Sequence, residues 1–324
     1  MNFDSLTDLC TPWCVRVAVT LRIADHLQSG AIDVATLAAT SRCDADALGR
    51  VLRHLVAKDV FEEPAPGRFA LNDAAQALRD PGQQVGLDLD GIGGRMAGAW
   101  AGLLTAVRTG RTAYADVFGR PFWEDLDANP DVAASFNALM GPMGHGVPDP
   151  EVLVSGDWES VRTVVDVGGG TGALLAEILR ARPALRGTLV DLPSTVARSA
   201  ETFRAAGVAD RATAIGQSFF DPLPPGADLY LLKNVLADWP DPEATALLTR
   251  CAEAARPNGR VVVLGGVTPD DDGTPSPELL MMILVGGKSR TLAEFRELAA
   301  SAGLKVHAAG QLPSGRFAVE SRPD

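Results

Sequence analysis

The sequence predicts an α/β fold: a doubly wound sheet, mostly parallel with an antiparallel edge, preceded by an α-helical domain of winged-helix outline. Three observations predict it. A β-branched run (Val164, Val165, Val167) breaks into glycines that open the helical pattern ALLAEILRA, as a buried parallel strand does when it turns into a helix. A second apolar run, GTLVDLP, ends on Asp191, at the strand tip where a carboxylate can accept both hydroxyls of a ribose. Strand and helix patterns then alternate to the C-terminus, the βαβ rhythm of a Rossmann-like parallel sheet.

Size and charge narrow the function classes. A chain of 324 residues, 46% hydrophobic, is enough for two ordinary domains. A net charge of −12 argues against nucleic acid or an anionic membrane as partner, since both want basic faces. With no charged-then-apolar leader and no apolar run near about 20 residues, the expectation is a soluble cytoplasmic protein. Cysteines 10, 14, 43 and 251 form neither a zinc spacing nor a disulfide framework. Cys10 and Cys14, one helical turn apart, read as two reduced buried thiols, and no metal is expected.

The first expected domain is 1–95. From Leu6 to Gln28 the pattern is apolar at helical spacing and almost uncharged until Arg22, which predicts one long helix needing a large covering surface, from the fold or a second subunit. ATLAATSR, DADALGRVLRHLVAKDVFEE and PAPGRFALND then give helix, helix and a strand after a Pro-Gly turn, with Asp44 or Asp46 as cap of the second helix. Arg50, Arg53, His54 and Lys58 on that helix are surrounded by Asp44, Asp46, Asp59, Glu62 and Glu63. No positive excess is left to neutralise phosphates, so the winged helix reads as structural or dimerising. His26 and His54 read as ordinary helix residues.

The segment 96–150 is expected to connect the domains and line a pocket. Gly82 to Arg108, rich in glycine and alanine, reads as one closely packed helix, and the stretch from Gly119 to Gly146 as another. Gly-Pro-rich sequence up to Pro150 reads as a hinge. In the third domain, 151–324, PSTVARSAETFRAAG is a helix, ATAIGQSFF a strand, and ADLYLLKNVLADW a strand entering a polar loop. DPEATALLTRCAEAARPNG is a helix with a Pro-Asn-Gly stop, and GRVVVLGGV a strand. TLAEFRELAASAGL is a helix with a capping box from Thr291 to Glu294. KVHAAGQL and RFAVESR close the chain as a hairpin.

The glycines of the first turn are spaced G-x-G-x-G (Gly168, Gly170, Gly172), and an acid, Asp166, sits in the strand before them. Glycine lets backbone approach a ligand and takes positive φ. With TLRIADHL, RVLRHL, GRPFWEDL, DVGGGTG, LVDLP, SFFDPLP, LLKNVLADWPD, PNGRVVVL and GGKSRTLAEF spread from end to end, the chain resembles the plant-type small-molecule O-methyltransferases that use S-adenosylmethionine (SAM), the group that includes caffeate and hydroxyindole enzymes and bacterial tailoring enzymes of natural products. The resemblance implies a homodimer through the N-terminal domain, SAM as cofactor with S-adenosylhomocysteine as its product, and a small aromatic substrate. It implies that Asp166, Gly168, Gly170 and Gly172 lie at the cofactor, that Asp191 holds its ribose, and that Leu192 and Phe219 flank the adenine. Gln217, Ser218 and Lys233 fall at neighbouring cofactor positions, Ser218 where relatives carry an acid. Trp123, Phe136, Asn137, Met140, Asn234, Met281 and Met282 fall at positions of the substrate wall.

The catalytic positions of the family are not kept. Where relatives read V-L-H-D-W, this chain reads Val235-Leu236-Ala237-Asp238-Trp239, with alanine in place of the general-base histidine. Gly265 and Ser289 stand where supporting glutamates are found. Four readings follow: methylation by proximity of an acidic or electron-rich acceptor, at oxygen or else nitrogen or carbon; a substitute base, with Asp238 and His145 as candidates; retention of SAM for different chemistry, such as hydroxylation, decarboxylation or ring formation; or a SAM-binding regulatory dimer.

Overall fold

The computed structural model describes residues 3–141, 148–270 and 278–324. Two compact units emerge. The first takes the chain up to Gly98 and returns for Asn129 to Gly141; the second takes Ala99–Ala128 and the described residues from Pro148 to the C-terminus. The expected connecting segment is thus divided between the two.

In the first unit the expected long N-terminal helix is broken into Phe3–Leu6, Cys10–Thr20 and Ile23–His26. The break falls at Arg22, whose φ of 56° is left-handed, a conformation that ends a helix. The apolar period survives the break because both sides bury into one core, Ala18 before it and Ile23, Ala24 and Leu27 after it. The helices Val34–Ser41 and Ala45–Val56 follow. Asp44, not Asp46, caps the second by accepting the Ala47 N–H at 2.8 Å, while Asp46 pairs with Arg50 on the surface. Strand β1 (Ile32–Asp33) joins β2 (Phe61–Ala65) and β3 (Arg68–Leu71) in a small antiparallel sheet of order β1-β3-β2, the wing. The expected helix from Gly82 to Arg108 is also broken, into Pro81–Leu87, Ile92–Ala99 and, in the second unit, Leu103–Thr109. Its glycines serve a tight turn instead, since a Cβ on Gly94 would lie 2.0 Å from the Leu89 carbonyl oxygen. The stretch from Gly119 likewise divides into Phe122–Ala128 and Pro130–Met140, with Pro130 starting the second helix because a helix tolerates proline in its first turn.

The second unit is built on a seven-stranded sheet. Its strands are β4 (Thr163–Val167), β5 (Arg186–Asp191), β6 (Ala212–Gly216), β7 (Leu229–Lys233), β8 (Arg260–Leu264), β11 (Leu304–Gln311) and β12 (Phe317–Pro323), while the short β9 (Val267–Thr268) and β10 (Arg290–Thr291) pair with each other in parallel. The seven run in the order β11-β12-β8-β7-β4-β5-β6. The pairs from β6 to β8 are parallel, and β12 lies antiparallel to both β8 and β11, which gives the expected antiparallel edge. Alternate residues feed two cores: Val165, Tyr230 and Val261 face one side, and Val164, Leu231 and Val262 the other. This is the period-two signature of a sheet buried on both faces. The expected helix after Asp191 is two short ones, Pro193–Val196 and Ser199–Ala205. The capping box of Thr291 and Glu294 is formed at the helix Leu292–Ser301. Chain order reverses between β4 and β7, so a crevice at their carboxyl ends is where a ligand is expected in a doubly wound sheet.

Candidate functional site

The turn after β4 is held open by its glycines. Gly168, Gly170 and Gly172 have φ of 70°, 63° and 81°, values that side chains other than glycine rarely accept. A Cβ at Gly168 would lie 2.7 Å from Val235, and one at Gly172 the same distance from the Phe203 ring, whereas one at Gly170 would meet nothing within 4 Å. Gly168 and Gly172 are therefore glycine for packing, and Gly170 presents bare backbone to open space.

Asp191, at the tip of β5, is tied to that turn. Its Oδ2 accepts the Gly170 N–H at 2.8 Å and its Oδ1 the Leu192 N–H at 2.8 Å. Each carboxylate oxygen keeps a further lone pair. Burial pushes the carboxyl above its ordinary range, opposed by the hydrogen bonds from the Gly170 and Leu192 amides. Asp166 is wholly buried inside β4, and neither of its oxygens makes a well-formed hydrogen bond among the described residues, although the Leu175 N–H lies near enough to favour the carboxylate. Burial carries it up to about 7, with the Lys233 ammonium opposing the rise and the Asp191 carboxylate adding to it. A buried carboxylate without a well-formed hydrogen bond is costly, so its place behind the glycine turn marks a site for a donor. Lys233, at the end of β7, is half-buried and lines a small cleft with Leu174, Leu264, Leu312 and Arg316. Burial and then the neighbouring Arg316 guanidinium lower its pKa.

The remaining expected cofactor residues gather beside these. The Gln217 N–H donates to the Asp191 carbonyl at 2.9 Å, which sets the turn after β6 next to Asp191. The Gln217 side chain is engaged with the Pro222 carbonyl, and the Ser218 hydroxyl accepts the Phe220 N–H. Phe219 packs against the Gly168 turn, near enough that a Cβ there would be 3.5 Å from its ring.

Phe219 also belongs to an aromatic group. Trp239 lies edge-on to both Phe219 and Phe220, with centroids at 5.9 and 4.8 Å, and nearly parallel to Trp123 at 6.4 Å. The helix that carries Trp123 is anchored from within by Tyr114, whose buried hydroxyl donates to Asp125 at 2.8 Å. Trp239 was not expected at the site. Its sequence signal, a tryptophan two residues after Ala237, was present but reads equally as core.

Ala237 and Asp238 lie in a 3₁₀ turn, Leu236–Asp238, of which Leu236 and Ala237 are buried, so the expected polar loop is a packed one. Gly266 and Gly287 press on it: a Cβ on Gly266 would lie 2.6 Å from that of Ala237, and one on Gly287 would lie 2.0 Å from the Ala237 carbonyl oxygen. Arg290, 1% exposed, secures the turn from behind. Its guanidinium donates to the carbonyls of Leu236 (3.3 Å) and Trp239 (2.9 Å) and pairs with Asp241 at 2.9 Å. No sequence pattern marked this arginine.

Asp238 is half-buried, and burial followed by the nearby Glu278 carboxylate raises its pKa to about 7. Asn234, which follows β7 with a left-handed φ of 57°, crowds Gly265, where a Cβ would meet its Oδ1 at 2.3 Å. Met281 and Met282 are half-buried in the helix Leu279–Leu284, whose last carbonyls at Ile283 and Leu284 take the Thr112 hydroxyl. Phe136, Asn137 and Met140 lie on the helix Pro130–Met140 of the first unit, with Met140 exposed. His145 lies outside the described residues. The structure thus brings together Asp166, the three glycines, Asp191, Leu192, Gln217, Ser218, Phe219 and Lys233 at one sheet edge.

Comparisons with known proteins agree on this architecture. Residues 100–305 match the model of an O-methyltransferase domain, and residues 3–80 that of an O-methyltransferase dimerisation domain. The chain is 42% identical over 313 residues to the 2,7-dihydroxy-5-methyl-1-naphthoate 7-O-methyltransferase of Streptomyces carzinostaticus, covering 95% of this chain and 94% of that protein. It is 42% identical over 315 residues to the aclacinomycin 10-hydroxylase RdmB of Streptomyces purpurascens, covering 93% of this chain and 83% of that protein. Among solved structures it is similar to NcsB1, an O-methyltransferase from neocarzinostatin biosynthesis in complex with SAM and 2-hydroxy-5-methyl naphthoic acid. That match has a TM-score of 0.91 at 40% identity and covers 100% of this chain and 99% of the other.

Proposed function

This chain belongs to the O-methyltransferase family, and from that premise we propose that it transfers a methyl group from SAM to a hydroxyl of a small aromatic secondary metabolite. The observation that carries the reading is the fit of the cradle to the cofactor. Gly170 opens bare backbone to the ligand side, and the Asp191 carboxylate beside it is the acceptor to which a ribose diol donates. The buried carboxylate of Asp166 suits the cationic end of the same molecule. Gly168, Gly170, Gly172 and Lys233 would hold the amino-acid portion, Asp191 the ribose, and Leu192, Gln217, Ser218 and Phe219 the adenine. The substrate class draws support from the naphthoate named in two relatives. Trp123, Asn234, Met281 and Met282 would form the substrate wall on the second unit.

SAM, when bound, supplies a methyl already activated by its sulfonium. The chain's task is then to place the acceptor and keep water out, which is worth ~7–11 kcal/mol when the alignment is good. The aromatic group of Trp123, Phe219 and Trp239 is suited to both. A general base would add about 10²–10⁴-fold, and the methyl side chain of Ala237 takes no proton. A phenol of pKa about 10 is mostly protonated at neutral pH, so the reading requires an acceptor hydroxyl that ionises more readily. A second reading has one observation in its favour: Asp238, raised to about 7, is half ionised near neutrality and can act as the base. A third reading, in which this chain keeps the cofactor without transferring its methyl, draws support from the hydroxylase relative of equal identity.

The test uses methyl-labelled SAM and candidate hydroxynaphthoates. Label in the product, with a rate that follows the acceptor's own ionisation and persists in Asp238→Asn, supports transfer by proximity. A profile that loses its step near pH 7 in Asp238→Asn assigns the base to that residue, and product without label rejects methyl transfer. The first unit, with its match to a dimerisation domain and its exposed Phe3, Leu6, Leu9 and Trp13, supports a homodimer. Among the described residues no helix is long and apolar enough to cross a membrane.

A further inference from the structure

Away from the cofactor edge, one cluster in the first unit has a chemistry that the methyl-transfer reading does not use. Cys10 and Cys14 lie on one face of the helix Cys10–Thr20, with their sulfurs 3.8 Å apart. His54, from the helix Ala45–Val56, converges on them, so that the two Sγ atoms and a ring nitrogen all lie within 4.8 Å of one another. The sequence separates His54 from the pair by some forty positions; only the packing of the two helices joins them.

We propose that Cys10, Cys14 and His54 form a site for a thiophilic divalent cation of the zinc class, with water as the fourth ligand. The spacing favours this over two idle thiols. Two thiolates bound at tetrahedral angles, each about 2.3 Å from zinc, sit about 3.8 Å apart, and the two sulfurs here stand at that separation. Two sulfurs and one imidazole are a donor set that selects zinc-like ions over calcium or magnesium. The surroundings also supply the orientation such a site needs. Asp8 accepts the backbone N–H groups of Cys10 and Thr11 at 2.9 and 3.0 Å, which fixes the start of the helix. Thr11 bridges the Asp8 carboxylate and His54 Nε2, at 2.6 and 2.8 Å, so a small turn of the ring exchanges the hydroxyl for the metal. Lys58 holds Asp8 from the other side at 3.3 Å. Cys10 is exposed, which leaves an entry path. Binding releases two thiol protons to solvent and clamps the N-terminal helix to the winged-helix core.

The test is a cobalt titration of the reduced full-length protein without a polyhistidine tag. One cobalt ion per chain should bind with a thiolate-to-metal charge-transfer band, which zinc then displaces. The band should be lost in Cys10→Ser and in His54→Gln and kept in Cys43→Ser. Absence of the band in the unsubstituted protein, or its survival in Cys10→Ser or His54→Gln, overturns the proposal. Zinc should also raise the melting temperature of the unsubstituted protein; an equal rise in Cys10→Ser overturns it as well.

Discussion

Gly266 packs so tightly on Ala237 that a Cβ on the glycine would lie 2.6 Å from that of the alanine. Ala237 is therefore enclosed by backbone on that side, in a buried turn pressed from a second side by Gly287.

This contact should be measurable. Gly266 has a φ of 73°, so Gly266→Ala combines an unfavourable conformation with the clash. We expect a loss of about 1–3 kcal/mol in stability and a lower turnover, read by denaturant melts and methyl-transfer assays. An unchanged melt would mean that the two segments are not in tight contact.

Arg290 fixes the same turn through the carbonyls of Leu236 and Trp239. Replacing it by methionine strands those carbonyls, at an expected cost of about 1–3 kcal/mol for each one left unsatisfied, while Asp241 stays paired with Lys288. Arg290→Lys keeps the charge but loses the planar fork. It should lower kcat while leaving the affinity for S-adenosylhomocysteine unchanged, since Arg290 touches none of the cofactor residues.

Asp191→Ala removes the acceptor at the end of β5. Loss of hydrogen bonds to a charged group, roughly 1.5–3 kcal/mol, should weaken S-adenosylhomocysteine binding tenfold or more by calorimetry. Unchanged affinity would reject the cofactor assignment.

Asp166 gives a pH dependence of defined sign. Its pKa stands at about 7 in the folded protein, above the ordinary 3.8. Between these values the folded state holds the proton that the unfolded state has lost. Stability of the cofactor-free protein should therefore fall as pH rises from about 4 to about 7, by up to about 4 kcal/mol. Asp166→Asn should flatten that part of the stability curve. A wild-type curve that rises through this range, with no flattening in the variant, would contradict the assignment.

The apolar start of the chain predicts assembly. Leu9 and Trp13 are 78% and 46% exposed, too much apolar surface for an isolated helix face in water. The double substitution Leu9→Glu and Trp13→Glu should convert a dimer to a monomer in light scattering. A monomeric unsubstituted protein would contradict the dimer.

Much of this molecule is legible without coordinates. The sheet and its edge, the Gly168–Gly172 turn, Asp191 and the capping box at Thr291 are local patterns: β-branched alternation, glycine where φ must be positive, a carboxylate one strand further on. Such signals act over a few residues, so the sequence by itself determined the α/β class, the glycine turn with the acid one strand beyond it, and the family resemblance. It misjudged continuity. The apolar period from Leu6 to Gln28 runs on across the left-handed break at Arg22, because burial into a common core preserves the period whether or not the backbone stays helical.

What only the tertiary structure decided concerns groups far apart in the chain. Gly266 and Gly287 against Ala237, Arg290 behind the turn, Trp239 in the aromatic group, and His54 beside Cys10 and Cys14 each depend on elements that are neighbours in space alone. No local propensity records such pairings. They are fixed by the packing of whole helices and strands, where the free energy gained by burying apolar faces sets which side chains meet.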